Sequence, residues 1–471
     1  MQSNVLFIEP GTERVPTRAP MALRPILDQA ISDIVYSSPK TLLDLVDRYG
    51  SPLNIVWPHA LRQNVEAFRT VLRSHKVRFE IFYGAKVNKS QALLRAAAES
   101  NVGVDVSSVY ELRDALRAGA DPSRLCATGP AKTSNFHAEL IANASLISID
   151  SVEELYELEE CVRKIPSIRM ARVLLRYRSA SSQASRFGMG ADDLLHCLHR
   201  LAKLRTQFAF EGFHFHLGGY SYETRAQALR ELIHYINAAR NLDLEPKIID
   251  IGGGMPIRYV ESDKYEAYLH HQCNEHYSHG WVPESFYPYG SRLDACAWLN
   301  RLLGSSCVDG LSIAQYLNAM NITLAIEPGR SLADQAAISV FRITRIKLLA
   351  AGNHVIFVEG SSFSACETWF ASEFLVDPIL ISTEAVGQIR NAPIQAYIAG
   401  HSCLDDDVIT HRLIGFKRIP KAGDLLVYAN TAAYQMDLLE NEFHRHPLPR
   451  RITATCNASG GIDVSPDDQT E

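Results

Sequence analysis

Hydrophobic and polar positions follow two periods along most of this chain. Short runs of apolar, often β-branched residues alternate with longer segments in which apolar residues recur every three or four positions. Eight strand candidates in this alternation, over about 250 residues, predict a (β/α)8 TIM barrel, with a doubly wound open sheet as the alternative. The candidates lie near Phe79–Tyr83, Val102–Val106, Leu125–Thr128, Leu146–Ile149, Ala171–Tyr177, Phe208–Phe215, Ile248–Ile251 and Thr323–Ile326.

The segments on either side of this alternation have a different character. Residues 1–50 are expected to be an N-terminal extension that packs on a second domain, and the barrel is expected to cover residues 51–330. About seventy residues separate Gly254 from Glu327, which predicts an insertion over the barrel mouth at about 258–320. Short β-branched runs after Arg330 predict a C-terminal mostly-β domain over 331–452, and residues 453–471 are expected to be a disordered tail.

The composition of the chain argues against several classes of function. The chain has 471 residues, 46% of them hydrophobic and 21% charged, and a formal charge of -6, so no basic field exists for nucleic acid. No apolar run reaches the ~18 residues of a membrane span, and the N-terminus lacks the features of a secretory signal, which makes the cytoplasm the expected compartment. Nine cysteines without a CxxC pair argue against a zinc site and a disulfide framework, so no metal is expected.

Chemistry is expected where barrel strands end, because active sites of this fold lie at that face. The first strand runs through RFEIFYGAKVN into Lys86. An ammonium at the end of a buried strand needs a charged partner or a lowered pKa, and a lowered pKa would make the amine a nucleophile. A lysine that merely extends into solvent is the alternative for Lys86 taken alone.

Other strand ends carry complementary groups. His216 follows the sixth strand, the glycines Gly252, Gly253 and Gly254 follow the seventh, and Glu327 to Arg330 follow the eighth. Three consecutive glycines can turn three N–H groups toward one anion, and a guanidinium binds phosphate through two parallel hydrogen bonds. An amine, an imidazole, a carboxylate and a phosphate cradle at one mouth suggest a ligand with an aldehyde and a phosphate.

These motifs also occur together in a known family. In the order YGAKVNKS, VGVDVSSVYEL, SRFG, GFHFHLGG, DIGGGMP, AIEPGR, GHSCLDDD and AGDLLVYANTAAYQ, the chain resembles the fold-type III pyridoxal-phosphate decarboxylases. That family includes the diaminopimelate, ornithine and arginine decarboxylases and related siderophore-pathway enzymes. The resemblance extends over about Ser51 to Arg450 and implies an alanine-racemase-like barrel with a C-terminal β domain, a small amino-acid substrate and a homodimer with shared sites.

The resemblance also implies a role for each matching residue. Lys86 would hold pyridoxal phosphate covalently, His216 would stack on the pyridine ring, Glu327 would pair with the pyridine nitrogen, and Cys403 would reach a partner's site to protonate the carbanion left by CO2. Asp105, Arg176 and Arg186 match positions in or near the site. The remaining implied contacts are Gly219, Gly252, Gly253, Gly254, Gly329, Arg330 and Tyr434 for the cofactor, and Leu404, Asp405 and Asp407 for substrate.

Departures from the family pattern bear on the substrate. Many relatives place an acid directly after the cysteine to bind a distal ammonium, whereas this chain has Leu404 followed by three aspartates. An ammonium against a leucine would cost several kcal/mol, so a bulkier amino-acid conjugate is expected, unless a neighbouring aspartate substitutes for the missing acid. Two alternatives stay open. A racemase of this architecture would set an arginine against the pyridine nitrogen, and a non-catalytic cofactor carrier would need only the barrel.

Overall fold

The computed structural model describes residues 20–164, 170–350, 352–364, 372–383, 392–437, 447–458 and 460–467. The helices are α1 Gln29–Ser32, α2 Pro39–Tyr49, α3 Pro58–Ser74, α4 Gln91–Glu99, α5 Val109–Arg117, α6 Ser134–Ala142, α7 Val152–Lys164, α8 Ala191–Lys203, α9 Tyr222–Asn241, α10 Ser262–His271, α11 Ala295–Gly304 and α12 Ile313–Ala319. The strands are β1 Leu53–Val56, β2 Phe79–Gly84, β3 Gly103–Val106, β4 Leu125–Ala127, β5 Leu146–Ile149, β6 Ala171–Arg176, β7 Phe208–His214, β8 Ile248–Asp250, β9 Thr323–Ile326, β10 Ala337–Leu348, β11 His354–Val358, β12 Ile379–Ile381, β13 Ile394–Ala399, β14 Val408–Phe416, β15 Leu425–Ala429, β16 Arg450–Cys456 and β17 Ile462–Pro466.

Strands β2 to β9 form a closed parallel barrel, which confirms the predicted fold and excludes the open sheet. The barrel closes where β2 pairs with both β3 and β9, with Phe82 opposite Gly103 and Ile81 opposite Ile326. The interior is filled by side chains rather than open, as in other barrels of this size. The interior cluster consists of Phe82, Cys126, Leu146, Leu174, Ile248 and Ala325.

The barrel helices pack on the outside of these strands through one apolar face each. In α3 the helix begins with Pro58, whose missing N–H is not needed there, and Leu61, Val65, Phe68 and Leu72 are buried as their spacing predicts. Fully burying each of these side chains contributes roughly 1.5–3 kcal/mol. The helices therefore fix the strand ends, and with them the side chains that follow each strand.

In the part of the chain that the structure describes, a second sheet of nine strands makes the β domain, in the order β14-β13-β11-β10-β1-β16-β17. Strand β15 also pairs with β10, and β12 pairs with β15. Strand β1 was assigned to the barrel from the sequence, and that boundary is wrong. It pairs antiparallel with β10 and parallel with β16, so Leu53 lies opposite Val340 and Arg450. All four residues of β1 are buried between two neighbours, and the barrel therefore begins at α3.

The N-terminal segment covers one face of this sheet. Ile31, Val35, Leu42 and Val46 belong to an apolar cluster that includes residues of β1, β10 and β15. Their burial ties the segment to the β domain rather than to the barrel. Residues 1–19 of the expected extension lie outside the described residues.

The insertion is shorter than the predicted range 258–320. Helices α11 and α12 complete the barrel, since Trp298, Leu302 and Leu317 lie in its main core cluster. The added segment is therefore about 257–294, and its aromatic residues pack instead against the β domain in a separate cluster. The backbone N–H of Ser278 donates to the carbonyl of His411 on β14 at 2.8 Å, which fastens the segment to that strand.

The expected disordered tail is also wrong for residues 453–458 and 460–467. Strands β16 and β17 form an antiparallel hairpin, with Cys456 opposite Ile462. The backbone N–H of Asn457 donates to the carbonyl of Gly461 across the turn. Buried Asp467 then accepts a hydrogen bond from the Ser90 hydroxyl at 2.7 Å, which holds the hairpin on the barrel. Residues 468–471 lie outside the described part of the chain.

Among the residues that the structure describes, no helix combines the length and apolar character needed to cross a lipid bilayer.

Candidate active site

A cavity of about 510 Å³ opens at the carboxyl ends of the barrel strands. This volume is in the range of small-molecule and cofactor sites. The cavity collects residues from the barrel, the insertion and the β domain. The sequence-predicted residues that line it are Lys86, Arg176, His216, Gly219, Gly253, Gly254, Glu327, Gly329, Arg330 and Tyr434.

Lys86 lies in a short 3₁₀ turn directly after β2 and has a charged partner. Its Nζ donates to Oδ2 of Asp105 at 2.9 Å, and Oδ1 of Asp105 accepts from the Thr128 hydroxyl at 2.6 Å. Burial acts to lower the pKa of Lys86, but the charges of Asp105 and Glu327 outweigh it and raise that pKa above its ordinary value. Asp105 does not line the cavity, and the contacts that the structure shows for it include the ion pair with Lys86 and the hydrogen bond from Thr128.

Glu327 supplies a buried carboxylate directly after β9. Its Oε1 lies 3.5 Å from Nε2 of His214 and its Oε2 lies 3.6 Å from Nδ1 of His216. Neither oxygen atom has a hydrogen-bond partner among the described residues. Burial disfavours the charged form, but the neighbouring His216 imidazole and the charge of Lys86 outweigh it and hold the pKa of Glu327 below its usual range. An ionised, buried carboxylate with free acceptor capacity is suited to a protonated ligand nitrogen.

His214 was not singled out from the sequence, although it is two residues before His216 on the same strand face. It is fully buried, and the burial holds the pKa of its imidazole well below the ordinary value, so the ring is neutral. Its Nδ1 is 2.7 Å from the Ser148 hydroxyl. Atoms of His214, His216 and Glu327 lie within 4.8 Å of one another, close enough to bind one metal ion. The sequence, in contrast, predicts no metal site.

The glycine triplet does not present three N–H groups to one anion, contrary to the sequence-based prediction. Gly252 donates its N–H to Oδ1 of Asp250 at 2.9 Å and does not line the cavity. The N–H of Gly253 points to Nδ1 of His216 at 3.4 Å. A Cβ atom on Gly252 would come within 2.5 Å of the His216 ring, so this glycine is needed to seat the imidazole.

Arg225 organises the glycine loops from behind the cavity. This buried guanidinium donates to the carbonyls of Leu217 at 2.7 Å, Gly219 at 2.8 Å and Gly253 at 3.4 Å. Burial lowers its pKa to about 10, so it stays charged at neutral pH. By engaging these carbonyls, Arg225 fixes both loops around one end of the cavity. Gly219 has a φ of +73°, a conformation that favours glycine.

Arg330 and Tyr434 meet at that same end. Tyr434 is delivered by a β-domain loop whose backbone N–H, at Tyr434, donates to the carbonyl of Val87 at 2.7 Å. The guanidinium of Arg330 lies 5.0 Å from the Tyr434 ring and 3.9 Å from the ring of Tyr287, which the insertion contributes. Glycines, a guanidinium and phenol groups at one end of the cavity form an environment suited to a phosphate.

Arg176 and Arg186 were grouped in the sequence analysis, but the structure separates them. Arg176 lines the cavity and donates to Oδ1 of Asp150 at 2.9 Å. Arg186 lies outside, along a second cavity beside α8, and its guanidinium covers the Phe187 ring at 4.6 Å. Arg186 therefore does not line this cavity within its own chain, and its role as a substrate residue stays a prediction.

The turn that carries Cys403 does not line the cavity of its own chain. Cys403, Leu404 and Asp405 are exposed. Asp407 is buried and accepts from the backbone N–H of Ser362 at 2.7 Å and of Ser402 at 2.9 Å. Both carboxylate oxygens of Asp407 thus hold the turn in shape, and its assignment as a substrate residue stays a prediction.

Pyridoxal phosphate, which the family motifs imply, is consistent with these observations. The free oxygen atoms of Glu327 match a protonated pyridine nitrogen, and the glycine loops with Arg330 match a phosphate. At Gly253 a Cβ atom would lie 2.5 Å from the Glu327 carbonyl, so the close approach of these two strand ends also requires glycine.

Comparison with known proteins also indicates that the chain binds pyridoxal phosphate. Residues 59–280 match the family model described as the pyridoxal-dependent decarboxylase pyridoxal binding domain. Protein y4yA of Sinorhizobium fredii, an uncharacterized protein, is 54% identical over 447 residues, which cover 94% of this chain and 96% of the relative. The diaminopimelate decarboxylase of Zymomonas mobilis is 24% identical over 440 residues, 89% of this chain and 91% of that one.

Solved structures share the architecture. The diaminopimelate decarboxylase of M. jannaschii superposes with a TM-score of 0.69 at 17% identity and covers 90% of both chains. The arginine decarboxylase of Paramecium bursaria Chlorella virus gives 0.64 at 17% identity, with coverage of 88% of this chain and 98% of that one. A barrel with a strand-end lysine and a β domain that completes the cavity places the chain in the barrel-type class of pyridoxal-phosphate enzymes. Within that class, the chain belongs to the fold-type III pyridoxal-phosphate-dependent decarboxylases, which are carboxy-lyases.

Proposed function

We propose that this protein removes the α-carboxyl group of an amino-acid conjugate, with Lys86 as the residue that carries the cofactor. The observation that carries the proposal is the ionised Glu327, buried without a hydrogen-bond partner among the described residues, in the cavity that Lys86 enters. A racemase of this architecture would have an arginine in that place. A carrier would not need the β-domain loop that delivers Tyr434.

Each residue then has a defined task. When bound, pyridoxal phosphate accepts the electron pair that remains on the α-carbon after CO2 leaves. Glu327 holds a proton on the pyridine nitrogen, and neutral His214 beside it adds no competing charge. Lys86 would hold the cofactor aldehyde through its Nζ, and Asp105 keeps this amine in place through its ion pair. Gly254, Arg330 and Tyr434 bind the phosphate end.

The residues expected to contact the substrate differ from those that a diamine-forming enzyme would need. Leu404 is 43% exposed and apolar, whereas a free distal ammonium would need a carboxylate at this position. Of the three aspartates that follow Leu404, Asp407 is engaged by two backbone N–H groups and offers no substitute. We therefore infer a substrate whose distal amine is acylated, such as a citryl conjugate of the kind used in siderophore assembly.

A substrate panel tests this proposal. We expect CO2 release from citryl conjugates of ornithine or lysine, and at least about 100-fold lower kcat/KM for the free amino acids, since an unpaired ammonium costs several kcal/mol. Leu404→Glu should raise turnover of free lysine, and Leu404→Met serves as the matched apolar control. Turnover of free lysine or ornithine at ordinary enzyme rates would refute the proposal that the substrate is a conjugate. Interconversion of D and L forms without CO2 would indicate a racemase instead.

Cys403 has a role only if a second subunit is present. Because it is exposed and absent from the cavity lining of its own chain, we propose a homodimer in which Cys403 donates a proton in the partner's site. A thiol placed as a general acid typically contributes about 10² to 10⁴ in rate.

Mixed dimers provide the test for Cys403. We expect the variants Lys86→Ala and Cys403→Ala each to be nearly inactive. Unfolded and refolded together, they should recover about a quarter of wild-type activity, because half of the dimers would each contain one intact shared site. The controls are the two variants refolded separately. Absence of any recovery in dimers shown to be mixed would place Cys403 in its own chain's site or outside catalysis.

A further inference from the structure

The insertion reaches the cavity through one side chain, Tyr287. The ring of Tyr287 lies 3.9 Å from the Arg330 guanidinium, closer than the Tyr434 ring at 5.0 Å. Arg330 itself is 4% exposed, and its Nη1 donates to the carbonyl of Ala433 at 3.4 Å. A guanidinium against an aromatic face is attracted by the negative charge of the π system, most strongly where water is excluded.

Tyr287 is held firmly from the other side. The hydroxyl of Tyr265, on α10, donates to the carbonyl of Tyr287. The backbone N–H of Tyr289 donates to the same carbonyl at 2.8 Å. The ring of Tyr220, which follows the sixth barrel strand, meets Tyr287 edge-on at 4.9 Å. Backbone and ring are thus both fixed, so Tyr287 can fix the position of Arg330 in turn.

We propose that Tyr287 is a positioning residue that orients Arg330 toward the phosphate, which makes the insertion at 257–294 part of the cofactor site. This inference rests on the proposed function, because it requires that pyridoxal phosphate binds here. It assigns the insertion to the phosphate end of the cavity instead of to a lid for substrate. The ligand group it serves is a phosphate monoester.

The ring face of Tyr287, rather than its hydroxyl, orients Arg330. The contact that the structure shows joins the guanidinium to the ring centroid. Tyr287→Phe should therefore keep the affinity for pyridoxal phosphate within about threefold of wild type, whereas Tyr287→Leu removes the π face and should weaken it about tenfold or more. Trp281→Leu, at an exposed position of the same insertion, controls for general disturbance of the segment.

The test compares two ligands that differ in the phosphate alone. Cofactor-free protein is titrated with pyridoxal phosphate and with pyridoxal, followed by absorbance and fluorescence. Tyr287→Leu should lose affinity for pyridoxal phosphate while its affinity for pyridoxal changes less than about twofold. In an Arg330→Met background the same substitution should add nothing further.

The outcomes separate the two proposals. If wild-type protein does not bind pyridoxal phosphate, the proposed function itself fails. If wild type binds it and Tyr287→Leu binds it equally well, or loses pyridoxal to the same extent, the role of Tyr287 is refuted and the decarboxylase proposal stands.

Discussion

Lys86→Arg is expected to lower kcat by at least about 10³-fold and to leave the cofactor bound only non-covalently. Arginine retains the positive charge that pairs with Asp105, which lies 2.9 Å from Nζ of Lys86. It stays protonated at any accessible pH and cannot act as the amine nucleophile. The measurement is borohydride reduction of the holoenzyme followed by peptide mass analysis, which should place the cofactor on Lys86 in wild type and nowhere in the variant.

The neighbouring lysine provides the control for this substitution. Lys89 also has a carboxylate partner, Glu111 at 2.8 Å, but does not line the cavity. Lys89→Arg should therefore keep wild-type activity and the covalent link at Lys86. A Lys86→Arg variant that still carries reducible cofactor, or that decarboxylates at the wild-type rate, would contradict the assignment.

The sequence was sufficient to predict the barrel because the parallel strands are buried on both faces and therefore appear as continuous apolar runs. The strand Thr323–Ile326 was predicted with its observed bounds, and Phe79–Tyr83 differs from β2 by one residue. The ends of these strands carried the catalytic candidates, so Lys86, His216 and Glu327 followed from the same pattern. Their convergence on one cavity is a consequence of barrel closure.

Contacts between residues far apart in the chain could not be predicted from local sequence patterns. Leu53 pairs with Val340, nearly three hundred positions away, and no local pattern distinguishes that strand from a barrel strand. Arg225 is one helical arginine among many, and only the fold brings it behind the glycine loops. Tyr287 reaches Arg330 from an insertion whose path depends on the β domain.

Two errors could have been avoided with signals present in the chain. Each barrel strand needs a helix before the next, so part of the stretch between β8 and β9 had to be a barrel helix, as α11 is. In the C-terminal segment, Gly460 and Gly461 lie between residues that favour strands, which is the pattern of a hairpin. The acidic residues at the end of the chain concealed that pattern.

Glu327→Gln is expected to lower kcat by about 10² to 10³-fold while the cofactor stays attached. Glutamine keeps the size of the side chain but removes its negative charge, so the proton on the pyridine nitrogen loses its counter-ion. Removal of one partner from a buried charge pair costs roughly 3–5 kcal/mol, and about 1.4 kcal/mol corresponds to a factor of ten in rate. Steady-state kinetics and the absorbance spectrum of the holoenzyme measure the two effects.

Asp250 provides a matched control because it is a second buried carboxyl group near Glu327, and its surroundings favour the neutral form instead of the charged one. Burial and the nearby charge of Glu327 raise the pKa of Asp250 well above its usual value, which favours its neutral form. Asp250→Asn replaces one neutral side chain by another and keeps an oxygen to accept from the N–H of Gly252. It should therefore cost less than about tenfold in kcat. Equal losses in the two variants would mean that packing at the strand ends, and not the charge of Glu327, sets the rate.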